Sequence, residues 1–97
     1  MLRVVVSPRA QDDIVGIAAH TLEMWGEAQM SRYVDGLNAR FAELARFPST
    51  GRRRDEIGPG YRSIVQGSHI VFYRTMDRDL VIVRILHVRM NPDRHLR

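Results

Sequence analysis

The residues of this 97-residue chain best equipped for chemistry lie in its last third. There Arg62, Arg74, Arg84 and Arg89 are set among Val, Ile, Phe and Tyr, and His87 closes the run Val83-Arg84-Ile85-Leu86-His87. Arginine offers a planar fork of N–H donors that matches phosphate or carboxylate, and it stays protonated. Histidine has a reference pKa close enough to neutrality to move a proton. A strand carrying arginines on one face must point them at solvent, at an acidic partner or at a phosphate. Phosphate chemistry and protein docking both answer that need. His20, His69 and His95 show no metal-ligand spacing, and without cysteine there is no zinc pattern, disulfide or thiolate nucleophile. Neither a metal nor a cofactor is expected. Gly58-Pro59-Gly60 lacks the following helix that a phosphate-cradling loop requires.

Charge sharpens the question. Every Lys/Arg position is Arg. Through Gly51 five arginines stand against six acidic residues, and from Arg52 onward ten stand against five. The positive excess therefore belongs to the second half, which suits an acidic partner or nucleic acid. Arg52-Arg53-Arg54 is a charge run that can track phosphates or simply face solvent. The length fits one domain, residues 1–97, near the lower limit for a core without staples. No apolar run approaches the roughly 18 residues that span a bilayer. Met1 to Val6 runs into a helix start and not into a signal-like apolar segment, so no membrane association and a cytoplasmic location are expected.

The elements that must hold these side chains can be read in order. Leu2, Val4 and Val6 alternate as a strand. Ser7-Pro8 supplies an N-cap and a first-turn proline, and Asp12 and Asp13 sit early in the helix, where negative charge suits its dipole. Ile14, Ile17, Ala18, Thr21 and Trp25 predict one buried stripe with Trp25 as a core anchor. Gly26 breaks the helix. A second helix, from about Glu27 to Arg46, carries Met30, Tyr33, Val34, Leu37, Phe41 and Leu44, with Gly36 hinting at close packing, and Pro48 ends it. The two helices are expected to fold back as a hairpin.

Arg52 to Gly60 reads as a charged, glycine-rich and mobile loop. Gly67-Ser68 predicts one tight hairpin, Met76-Asp77-Arg78-Asp79 another, and Leu80 to His87 a β-branched strand for the sheet interior. Phe72 and Tyr73 alternate, so one is expected in the core and the other exposed. The tail after Asn91-Pro92 is too short and polar to add to the core. The order is β-α-α-β-β-β: an α+β fold with the helical hairpin packed on one face of a small, mainly antiparallel sheet, the other face left open.

Several segments together carry a resemblance. They are Ser7-Pro8-Arg9-Ala10 with Asp12-Asp13-Ile14, Trp25-Gly26, Phe47-Pro48 with Gly51, Tyr61-Arg62-Ser63, Gly67 through Arg74, Arg84 through His87, Arg89-Met90 and His95-Leu96. In this order they span nearly the whole chain and resemble the RelE/ParE superfamily of type II toxin–antitoxin toxins, and within it the ParE branch. That resemblance implies a RelE/ParE-like fold and a toxin neutralised by a cognate ParD-like antitoxin in a hetero-oligomer. For the ParE branch it implies DNA gyrase as the target. For the RelE branch it implies ribosome-dependent cleavage of mRNA in the A site.

Cleavage by a 2′-hydroxyl needs a base, a cation on the phosphorane and an acid for the leaving oxygen. RelE-like enzymes resemble one another in placing Arg on the second and fourth strands and Tyr or His near the end of the last. Arg62, Arg84 and His87 match those places. The lysines of many ribonuclease members are absent, Arg54 is a poor base, and Val88, Arg89 and Met90 follow His87 with no tyrosine. The expectation is therefore a gyrase inhibitor without catalytic residues. Its target contacts would be Arg84, His87, Arg89, Met90 and Arg94, within the stretch to Arg97. Arg52, Arg53, Arg54, Arg62 and Arg74 would meet an acidic amphipathic antitoxin segment in the groove between hairpin and sheet.

Overall fold

The structure, a computed structural model, describes residues 1–96; Arg97 lies outside the described residues. Strand β1 (Arg3–Val6) leads into helix α1 (Pro8–Trp25), whose start forms as the residue types dictate. The Ser7 hydroxyl accepts the Ala10 N–H at 3.1 Å, and Pro8 takes a position where its missing N–H costs nothing. Gly26, at φ 89°, ends α1 in a backbone setting that favours glycine, and α2 (Glu27–Arg46) runs back beside it. A 3₁₀ turn (Pro48–Thr50) follows, then β2 (Arg52–Arg53), β3 (Arg62–Gln66), β4 (His69–Met76), β5 (Asp79–His87) and a short α3 (Pro92–Leu96).

The sheet order is β1-β5-β4-β3-β2, with β1 parallel to β5 and every other pair antiparallel. Both expected hairpins form. Gln66 pairs with His69 around Gly67-Ser68, where Gly67 has φ 59°; Met76 pairs with Asp79 around Asp77-Arg78, where Asp77 itself takes φ 54°. Val71, Tyr73, Leu80, Ile82 and Ile85 meet Ala10, Ile17, Leu37, Phe41, Leu44 and Ala45 of the helices in one core. The α+β architecture, with the hairpin on one face of the sheet, is as predicted.

Four expectations are corrected. Trp25 is 72% exposed: it is the last residue of α1, at the hairpin tip. Phe72 and Tyr73 are both 0% exposed, because the reverse face of the sheet also has a cover. Phe72 and Leu86 are buried without joining the helix-side core, and the Arg54 guanidinium lies 5.3 Å over the Phe72 ring. The segment expected as a loose loop begins as β2 and turns back through Arg54 N–H to Tyr61 O at 2.8 Å, which carries Arg54 onto that face. Asp13 serves a side-chain bond in place of the helix dipole, since it lies beyond the first turn of α1. The tail forms the short α3, which adds no buried residue to the core, as expected, and is bonded to β5.

Candidate functional site

Arg84, His87 and Arg62 fall in three different settings. Beyond Val6, which pairs with Ile82, β5 has lost its parallel neighbour, and α1 passes beside the vacated edge. Asp13 fills it. One carboxylate oxygen accepts Arg84 Nε at 2.8 Å and the Ile85 N–H at 2.9 Å, and the other accepts Arg84 Nη2 at 2.9 Å. Arg84 Nη1 donates to the His95 carbonyl at 3.1 Å. Both side chains of the pair are 14% exposed, and the bonds to Asp13 raise the Arg84 pKa further from its ordinary value.

Arg62 belongs to the opposite end of the sheet. Its Nη1 donates to Gly51 O at 2.8 Å, beside the Tyr73 hydroxyl that donates to Pro48 O at 2.7 Å and accepts the Gly51 N–H at 2.8 Å. Burial holds the Tyr73 hydroxyl pKa above its usual value. Arg62 pairs with Tyr73, whereas His87 pairs with His69, which pairs with Gln66. Four residues along β3 and two strand spacings put Arg62 and His87 roughly 16 Å apart at their Cα atoms. Arg84 registers with Phe72 and so with Ser63, one residue out of phase with Arg62. The β4–β5 pairing also shifts register between these two rungs, and each guanidinium finds its own partners, Asp13 and His95 for Arg84 and Gly51 O for Arg62. The structure does not bring these three residues to one phosphate.

His87 sits where β5 ends. Its Nδ1 accepts the Arg89 N–H at 3.1 Å, so the neutral ring carries its proton on Nε2 and has no lone pair left for a substrate hydroxyl. His87 meets His69 edge-on at 5.5 Å, and His69 meets Tyr33 in the same way at 5.5 Å. The Tyr33 hydroxyl lies 2.6 Å from His69 Nδ1, donates to Gln66 O at 2.9 Å and accepts the Ser68 N–H at 3.1 Å. Burial, then the neighbouring His87 and His20, push the His69 pKa below its ordinary value; burial pushes the Tyr33 hydroxyl up.

These histidines border a groove between the hairpin and the end of the sheet. One cavity of about 350 Å³ is walled by Asp12, Gly16, Ile17, Ile85 and Met90, and an adjoining one of about 210 Å³ by Trp25, Gln29 and Tyr33, with His20, His69 and His87 shared between them. Sequence reasoning placed His87 and Met90 at a contact surface but missed Tyr33, His20 and His69 as their neighbours. The available signal was His69 directly after the Gly67-Ser68 turn, opposite a helix bearing Tyr33. Among the described residues no group of three or more His, Cys, Asp or Glu is placed to hold a metal ion.

The basic segment divides by exposure. Arg53 is 71% exposed and reaches Asp55 at 2.8 Å, and Arg52 is exposed beside it. Arg54 is largely covered, bonding Glu56 at 2.7 Å and the Ser63 hydroxyl at 3.0 Å. Arg74 lies 5.4 Å over the Tyr61 ring, and its buried Nε has no hydrogen-bond partner among the described residues. Arg89, Met90 and Arg94 are exposed beyond the end of β5.

The family model described as "ParE toxin of type II toxin-antitoxin system, parDE" matches residues 4–92. Toxin ParE1 of Mycobacterium tuberculosis is 41% identical over 95 residues, 97% of each chain. Toxin ParE1 of Caulobacter vibrioides is 36% identical over 91 residues, 94% of each chain. The chain belongs to the ParE toxin family. It is thus a type II toxin of the ParE branch of the RelE/ParE superfamily.

Solved structures agree with this ParE fold. A chain of the chromosomal ParDE toxin–antitoxin system from P. aeruginosa superposes with TM-score 0.78 at 20% identity, covering 92% of this chain and 98% of that one. A chain of the RelBE2 toxin–antitoxin complex from Mycobacterium tuberculosis gives TM-score 0.58 at 24% identity, covering 89% and 96%. Among the described residues of this ParE toxin, no helix is long and apolar enough to cross a membrane.

Proposed function

We propose that this toxin acts in the cytoplasm as one domain, by binding DNA gyrase and not by cutting RNA, and that a ParD-like antitoxin neutralises it in a hetero-oligomer. The observation that carries the non-catalytic reading is the dispersal of Arg62, Arg84 and His87. A cyclising ribonuclease needs its base, cation and acid within hydrogen-bond reach of one phosphate. Here Arg62 faces Gly51 O, Arg84 is spent on Asp13 and His95, and the His87 lone pair is spent on Arg89. Gyrase as the target follows from the sequence resemblance to the ParE branch, and an antitoxin partner is in keeping with the ParDE and RelBE2 complexes that share the fold.

His87, Arg89, Met90 and Arg94 form the target-facing surface, with Arg84 as its internal anchor. The antitoxin is steered by the positive second half, meeting Arg52 and Arg53 first, then Arg54, Arg62 and Arg74. Its amphipathic helix lies in the groove beneath His20 and His69. A helix there would cover His87 and Met90, which line the same groove, and so mask the target surface.

The test is to induce the toxin without antitoxin and follow DNA breaks and A-site mRNA cuts together. DNA breaks with an SOS response and no A-site mRNA cuts are the expected results, with toxicity weakened but not abolished by His87→Ala, since Arg89, Met90 and Arg94 remain. Translation arrest with intact DNA, abolished by His87→Ala, would replace this reading with ribonuclease activity.

A further inference from the structure

We propose that Asp13, from the opposite half of the chain, is the positioning residue that sets the C-terminal segment of the toxin in its target-facing orientation. The proposal rests on the reading above that the segment beyond β5 meets the target.

The argument begins at the edge of β5. Where β1 stops, the Ile85 N–H would be an open ladder position, and an open edge is a template for unwanted pairing. Asp13 closes it at 2.9 Å and with the same carboxylate holds the Arg84 fork at 2.8 and 2.9 Å. A guanidinium held at Nε and Nη2 has its plane fixed, and its remaining edge is thereby aimed. That edge carries Nη1, which donates to the His95 carbonyl near the end of α3 at 3.1 Å. Ser7 adds a second stitch between α1 and β5, its hydroxyl donating to Val83 O at 2.8 Å. The α1 start, the β5 edge and the tail are therefore joined through one planar cation.

The tail needs such a device. Five residues of helix cannot hold themselves together in water. The bonds from Arg94 N–H to Asn91 O and from Asp93 N–H to Asn91 Oδ1 are local; they shape the turn without choosing its direction. Apolar packing holds it only loosely: none of the five residues of α3 is fully buried, Pro92, His95 and Leu96 are half-buried, and His95 and Leu96 line a cavity of about 310 Å³ with Ser7, Pro8, Arg9, Val83 and Arg84. Across that gap the fork of Arg84 supplies direction.

Three variants test this. Asp13→Asn keeps an acceptor for the Ile85 N–H but removes the charge that grips Arg84. Arg84→Gln removes the fork. Arg84→Lys keeps a cation beside Asp13 but cannot bond Asp13 and His95 in one plane. In the full-length toxin, trypsin cleavage after Arg89 and Arg94 should speed up about tenfold in each variant, while cleavage after Arg32 and Arg40 in α2 stays slow. Growth arrest on induction without antitoxin should fall in parallel. Unchanged tail cleavage in Arg84→Lys, or a loosened tail with full growth arrest, overturns the proposal. If Asp13→Asn also exposes the α2 sites, the fold has been lost, and Arg84→Lys decides. Neither readout depends on the target's identity, so wild-type growth arrest without DNA breaks would reject the gyrase reading and leave this one standing.

Discussion

Arg84 and Arg53 are the same residue type in the same basic half of the chain, and they do opposite work. Arg84 is 14% exposed with every guanidinium nitrogen engaged: Nε and Nη2 on Asp13, Nη1 on His95. Arg53 is 71% exposed and holds one carboxylate only two residues away. A desolvated, bidentate pair has strong mutual attraction, and losing one partner strands a charge; an exposed pair is screened and worth little. Arg84 therefore organises structure, and Arg53 is available for encounter. Net charge at the level of sequence conflates the two.

The comparison breaks most visibly at Asp13. Asp13→Ala strands Arg84 and opens the Ile85 N–H, and should cost about 2–3 kcal/mol of folding stability, measured by urea denaturation at neutral pH. A loss below about 0.5 kcal/mol would put the Arg84 pair in the same class as Arg53. Arg54 stands between the extremes, stacked on Phe72 and bonded to Ser63. Arg54→Ala should cost about 1 kcal/mol in the same assay, chiefly through uncovering Phe72.

A smaller effect comes from pH at the histidine groove. The folded pKa of His69 is depressed below 6.5 by burial and by His87 and His20. Between that depressed value and 6.5 the unfolded chain binds more protons than the folded one, so stability drops as pH falls through that window. Thermal melts at pH 7.5 and 5.5 should show this decline in the wild type, and the decline should be smaller in His69→Gln. Equal declines in both proteins would remove His69 from the account. Smallest of all is Arg53→Ala, which should leave stability within about 0.5 kcal/mol yet slow association with an acidic antitoxin peptide at low salt. A change in dissociation rate in place of association rate would place Arg53 within the docked interface.

Sequence reasoning recovered the hairpin, the order of elements along the chain and the tight turns, because Ser7-Pro8, Gly26, Gly67-Ser68 and the helical stripes are local signals. It recovered less of the site. Tyr33, His20 and His69 come from three elements, and no spacing in sequence announces that they meet His87. Phe72 and Tyr73 show the limit of alternation: it tells that two side chains leave opposite faces, and says nothing of whether both faces are covered. Trp25 shows the limit of periodicity, since a stripe can outrun the layer it packs on.

By itself the sequence determined the element types, the handing of positive charge to the second half and the absence of cysteine chemistry, all properties of residues or of their near neighbours. Tertiary structure alone decided which arginines are spent and which are free. That choice depends on pairings 71 residues apart in the chain, Asp13 with Arg84, and on the register that separates Arg62 from His87. A guanidinium's role is set by the acceptors within hydrogen-bond reach and by the water left around it, and both exist only once the chain has folded.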